Sequence, residues 1–252
     1  MSIEWGLLAV PFIAGLLVLA THVPLGQEVL KRGIIFIDLA IAQVAGLGVI
    51  LAELLALGGE AGSESIGVQL TAALASCAGA LLLTWSGRRW PQIQEALIGL
   101  LFVFAASLGI LLLAHNPHGG EHLQDLLAGQ ILWVSWPKLA LPAVLYGLVL
   151  LAWFGARKHI GDGGFYLLFA LTVTASVQLV GVFLVFASLI APALATRRWQ
   201  GRKALAVGYL IGALGYGGGL VLSAAWDLPS GPAVACTLCF LAMFGLVGSR
   251  EG

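Results

Sequence analysis

Apolar residues run through the chain in long blocks that polar positions interrupt only briefly. Blocks near 5–24, 34–57, 67–85, 96–115 and 138–156 each approach the roughly 20 apolar residues that a helix needs to cross a bilayer. The stretch from Phe165 to Thr196 is longer than one crossing requires, and it carries Gln178 near its middle, followed by Gly181. Two readings fit it: a single long tilted helix, or two short segments, 165–178 and 179–196, that turn at the outer face. The final blocks lie near 204–225 and 231–248. The pattern predicts an all-α polytopic membrane protein of eight or nine transmembrane helices, in a single transmembrane domain over 1–252.

The cations choose between the two readings. Lys31 and Arg32, Arg88 and Arg89, Arg157 and Lys158, and the group Arg197, Arg198, Arg202 and Lys203 sit in gaps between blocks, Arg250 follows the last block, and only Lys138 stands apart. Basic residues flanking membrane spans are retained on the cytoplasmic side. The split of 165–196 is the reading that puts Arg197 and Arg198 with the others. It predicts nine segments, an outer N-terminus and a cytoplasmic C-terminus. Interrupted segments are tolerated where freed backbone faces protein or a watery cavity, so the 165–196 pair is a candidate pathway wall.

Composition agrees. Hydrophobic residues make up 60% of the chain and charged residues 10%, against about 25% charged in soluble domains. The formal net charge is zero, which argues against a nucleic acid partner. Met-Ser-Ile-Glu-Trp has no basic n-region, so the first block reads as a retained span rather than a cleaved signal. Cys236 and Cys239 are spaced C-x-x-C, but inside an apolar block they read as small packing residues. Gly208 with Gly212, and Gly215 with Gly219, form two G-x-x-x-G pairs that allow close helix approach.

Candidate chemistry is sparse. No nucleophile–base constellation is apparent, so no catalytic residue is assigned. G-x-x-x-x-G-K-[S/T] is absent, so ATP-driven transport would need a separate ATPase chain. Charges at membrane depth are costly and point to function. Asp38 and Glu53 fall inside the second block, Asp38 about one turn from its cytoplasmic end, with Gln43 and Gln178 as neutral polar residues at depth. Asp38, Gln43 and Gln178 are the candidate pathway residues. Asp38 and Gln43 are five apart, about 140° around an ideal helix. After the fourth block, His115, His118, Glu121, His122 and Asp125 fall within eleven residues. That ligand set suits zinc or manganese, with His118 and His122 placed to face one another in a helix; a plain solvated loop is the competing reading.

Four stretches carry a resemblance: 32–49 (RGIIFIDLAIAQVAGLGV), 129–135 (GQILWVS), 181–198 (GVFLVFASLIAPALATRR) and 227–232 (DLPSGP). In order and spacing the chain resembles the membrane (permease) subunit of the bacterial zinc/manganese/iron ABC importer family. The resemblance implies a pathway formed by two permease subunits in a homodimer, and inward transport of a divalent metal, zinc or manganese, across the inner membrane. It further implies cytoplasmic ATPase subunits and an extracytoplasmic metal-binding protein as partners. Asp38 would meet the metal on this reading, alongside the loop residues His118 and His122 that the ligand set above singles out, with no tightly bound cofactor. Two departures stand out. The family's Asp and His, four apart in the second span, fall here on Leu39 and Gln43, with Asp38 one residue early. The loop after the fifth block, 157–164, is too short and glycine-rich for the family's docking helix. The ATPase contact then falls to Ser86–Glu95, with Arg88 and Arg89, or to Trp199–Lys203, with Trp199 and Arg202. Competing readings are an uncoupled pore or membrane scaffold, and an ion-coupled secondary transporter using Asp38 and Glu53.

Overall fold

The computed structural model describes residues 5–55, 65–113, 127, 129, 131–156 and 160–248. Among the described residues there are nine α-helices: α1 (Trp5–Arg32), α2 (Ile37–Leu54), α3 (Ile66–Arg89), α4 (Gln94–Leu113), α5 (Trp136–Gly155), α6 (Asp162–Val180), α7 (Val182–Ala195), α8 (Gly201–Trp226) and α9 (Ser230–Gly248). Short 3-10 turns occupy Pro91–Ile93 and Ile131–Trp133. Helices α1 to α6 and α8 are long and apolar enough to cross a membrane, while α7 and the apolar stretch Ser230–Gly245 of α9 are shorter. The protein is an all-α polytopic membrane protein.

Three expected boundaries move. The first helix does not stop near residue 24 but runs 28 residues to Arg32, about 42 Å at 1.5 Å per residue. Lys31 and Arg32 therefore form its last turn, where cations suit the negative helix end and long stems reach toward water. The break in the 165–196 stretch falls at Gly181, not between residues 178 and 179. Gly181 has φ 80° and ψ 163°, a backbone region open essentially to glycine alone. The first of the two segments is also longer than expected: α6 spans 19 residues, and only the 14-residue α7 is short. Finally, α6 begins at Asp162, so it absorbs the end of the 157–164 loop.

The chain divides into two compact units, each drawn from separate stretches of sequence. The first holds α1, most of α5, the last turn of α6, and α7 to α9. Helix α8 packs tightly on two neighbours, and its glycines allow it. A Cβ at Gly208 or Gly212 would run into Val23 or Leu19 of α1, and one at Gly215 or Gly219 into Leu238 or Val234 of α9. The two G-x-x-x-G pairs thus seat two different neighbours, each by close approach. The order of these contacts makes α8 antiparallel to both α1 and α9. Pro24 in α1 has no N–H, which frees the carbonyl of Ala20 four residues earlier. Tyr209 of α8 donates its hydroxyl hydrogen to that carbonyl at 3.0 Å. Ser188 of α7 and Tyr216 of α8 share a buried hydroxyl–hydroxyl bond of 2.8 Å. The 227–232 motif is the α8–α9 corner. Asp227 ends α8 in the left-handed conformation, and its amide and that of Leu228 both reach the Ser223 carbonyl. Ser223 in turn donates to the Leu228 carbonyl at 2.7 Å. Cys236 and Cys239 are free thiols on the exposed face of α9.

The second unit holds α2, α3, α4 and most of α6. Gly48 of α2 lies against Ala72 of α3, and Gly79 of α3 against Val44 of α2, so the two helices run antiparallel. Ile50 packs near Gly109 while Phe36 meets Glu95, so α2 and α4 run parallel.

Candidate functional site

In each unit most of the described cations gather at one end; Lys138, in the first turn of α5, is not among them. In the first, antiparallel packing of α8 against α1 puts Arg202 and Lys203 beside Lys31 and Arg32. The α7–α8 turn brings Arg197 and Arg198 there too. Arg32 pairs with Glu28 at 3.0 Å. Trp199 and Arg202 are exposed, and a cleft of about 510 Å³ opens between Trp199, Gln200, Lys203, Ala206 and Val207. In the second unit, Arg88 and Arg89 end α3 next to the starts of α2 and α4. Both arginines are exposed.

Asp38 belongs to that same end of the second unit. It is not a turn inside α2 but its second residue, since the helix starts at Ile37. It is 1% exposed, and neither carboxylate oxygen has a partner in hydrogen-bond geometry. The first turn of a helix is the place where its backbone amides favour negative charge. A carboxylate there is ordinary; one that is wholly buried, with only the amides of its own turn, those of Asp38 and Leu39, beside it, is not, because burying a charge is expensive. Helix α2 is unbroken from Ile37 to Leu54. Gln43 is therefore about 140° away from Asp38 around the axis, half-buried, and no bulge brings the two onto one face. Glu53 is half-buried near the far end of α2. Gln178, in the first unit, is exposed near the end of α6. His118 and His122 lie outside the described residues. Among the described residues, no group of three or more His, Cys, Asp or Glu side chains could hold a metal ion.

Two polar residues carry more than their sequence context signals. His22 sits in α1, wholly buried, with Nδ1 2.9 Å from the Val18 carbonyl. That contact assigns the proton to Nδ1 and leaves Nε2 as a bare acceptor, and Nε2 has no partner. The Thr21-His22 pair was visible as the polar interruption of the first block. Glu95, at the start of α4, accepts a hydrogen bond from the Phe36 amide at 3.3 Å, and its second oxygen is buried without a partner. Nothing local marks that contact, which joins residues 59 apart in sequence.

The ABC 3 transport family model matches residues 5–161 and 155–249 of the chain. An uncharacterised membrane protein encoded in the ycf23-apcF intergenic region of Cyanophora paradoxa is 24% identical over 214 residues, covering 74% of this chain and 71% of that one. The structure of PsaBC from Streptococcus pneumoniae in complex with Fab is similar over 96% of this chain and 92% of its own, with a TM-score of 0.75 at 18% identity. At that identity the likeness speaks for the fold. Taken with the nine apolar helices among the described residues and the cations at helix ends, the family match over both stretches places this chain in the ABC 3 transport family.

Proposed function

We propose that the chain is the membrane-spanning permease subunit of an ATP-driven importer for a divalent metal ion, zinc or manganese. It works as a homodimer in the inner membrane, with its N-terminus outside and its C-terminus in the cytoplasm. The observation that carries the cation reading is Asp38: a carboxylate in a spanning helix, buried to 1% exposure, with both oxygens unpartnered. An unsatisfied intramembrane carboxylate is a default candidate for an ion route. Hard and borderline divalent cations take carboxylate oxygens as ligands. Gln43, on the same helix, is the second pathway candidate of the second unit, and Gln178 is a separate candidate in the first. Family membership favours ATP drive over the ion-coupled alternative with Asp38 and Glu53.

Energy comes from ATPase subunits on a separate chain, and the ion is delivered by an extracytoplasmic metal-binding protein. The short α5–α6 connection leaves two exposed corners for the ATPase. One is Arg88–Ile93 in the second unit; the other is Trp199–Lys203 in the first. His118 and His122 serve transient capture of the arriving metal.

The test is metal accumulation in cells lacking the chain, complemented by wild type or Asp38→Asn. Restoration of zinc or manganese uptake by wild type alone supports the proposal. Uptake that is restored equally by both removes Asp38 from the route. A stably co-purifying ATPase that cross-links to the 88–95 or 199–203 corner supports coupling, and a chain that purifies without one supports the scaffold reading instead.

A further inference from the structure

The corner between α3 and α4 is tied together by hydrogen bonds and ring contacts. Its lip, Arg88 to Ile93, is exposed throughout, yet the residues that flank it, Ser86 and Gln94, are buried. Gln94 donates from Nε2 to the Leu83 carbonyl at 2.9 Å and reaches the Tyr166 hydroxyl of α6 at 3.5 Å. Its Oε1 accepts from the Ser86 hydroxyl at 3.2 Å. The Trp90 amide closes the end of α3 on the Ser86 carbonyl at 2.7 Å. Trp85 and Trp90 pack edge to face at 5.3 Å, and the Arg89 guanidinium lies 5.9 Å from the Trp90 ring centre. A Cβ on Gly87 would stand 3.1 Å from the Gln94 amide, so the Gln94 side chain packs closely on the α3 backbone.

Helix α2 begins without a cap of its own. Its N-cap residue is Phe36, which has no side-chain acceptor to offer the first-turn amides. The acceptor comes from outside: Glu95, the residue after Gln94, takes the Phe36 N–H at 3.3 Å. Asp38 follows two residues later, in the same turn.

We propose that Glu95 is a positioning residue that ties the first turn of α2, and with it Asp38, to the α3–α4 corner, so that a load on the exposed lip moves the start of α2. This rests on the importer reading for its use, since an ATPase is the partner that would load the lip. The link itself is a property of this chain. Displacement passes from Arg88–Ile93 through the Ser86–Gln94–Leu83 bonds into Glu95, and from its carboxylate into the Phe36 amide. A contiguous hydrogen-bonded network is a physical route for such coupling, and the load experiment below measures whether this one carries it.

The experiment uses the full chain in lipid nanodiscs, with Cys77, Cys236 and Cys239 replaced by alanine and Gln92→Cys introduced on the lip. The new thiol is biotinylated, streptavidin serves as the load, and amide hydrogen exchange is read over residues 33–42. Without load, Glu95→Ala speeds exchange at 34–38 about fivefold or more, as loss of a helix cap does. Glu95→Gln, which keeps an amide oxygen in place, stays near wild type. With load, exchange at 34–38 shifts in the wild-type and Gln chains and does not shift in the Ala chain. Unchanged exchange in Glu95→Ala, or a load that transmits equally without the carboxylate, overturns the proposal. No metal or nucleotide is present, so this outcome is separate from that of the importer reading, which the uptake assay decides.

Discussion

Asp38 is where the energetics of the site concentrate. Its backbone position is favourable, in the first turn of α2, and its side-chain environment is not, with both oxygens buried and unpaired. A group held at such cost makes sense if a cation visits it. Replacing it by asparagine keeps the volume and removes the charge. Asp38→Asn is expected to lower metal uptake on the order of tenfold, the scale on which metal sites lose affinity when a supporting group is removed. The amount of protein in the membrane should stay unchanged, as immunoblotting of membrane fractions would show. Gln43 stands on another face of the same helix and is half-buried. If it meets the cargo, Gln43→Ala lowers uptake more than Gln69→Ala does, since Gln69 lies at the membrane edge of α3. Equal, negligible effects would take Gln43 off the route.

At the scale of elements, close approach governs the first unit. Helix α8 has no room for side chains at Gly212 and Gly219, where Leu19 and Val234 stand. Gly212→Leu or Gly219→Leu forces α1 or α9 outward, and overpacking of this kind costs about 1–3 kcal/mol. Each variant should melt several degrees below wild type in a detergent-solubilised thermal scan, while Gly217→Leu, whose Cβ would meet only Phe12 at 3.6 Å, should fall less. Gly181 is bound by backbone instead of space. At φ 80° and ψ 163° a β-branched residue is strained by about 1–3 kcal/mol, so Gly181→Val should reduce folded yield, read by size-exclusion chromatography. The position of that break was legible only in part. The excess length of the 165–196 stretch announced an interruption, and Gly181 was in view. The conformation that marks Gly181 as the hinge is not written in composition, and Gln178, the polar landmark, turned out to be an exposed residue one turn earlier.

For the whole molecule, the arrangement of cations is the organising fact. Lys31, Arg32, Arg197, Arg198, Arg202 and Lys203 collect at one end of the first unit, and Arg88 and Arg89 at one end of the second. If both ends are cytoplasmic, a membrane-impermeant maleimide applied to intact cells labels Leu228→Cys, on the exposed α8–α9 corner, and spares Arg89→Cys and Arg198→Cys in a cysteine-free background. Labelling of Arg89→Cys and Arg198→Cys from opposite sides would overturn the topology and the importer reading with it.

The helical spans, the all-α architecture and the grouping of basic residues were determined by the sequence alone. Each depends on local quantities: how many apolar residues run together, and which charges bound them. The G-x-x-x-G pairs were legible as packing elements for the same reason. Tertiary structure decided what depends on distance in space. It buried Asp38 without a partner, isolated the Nε2 of His22, split the α8 glycines between two neighbours, and brought Glu95 across 59 residues to close the start of α2. A residue's type tells what it can bond with. Which partner it finds, or whether it finds any, is set by helices whose contacts no run of neighbouring residues records.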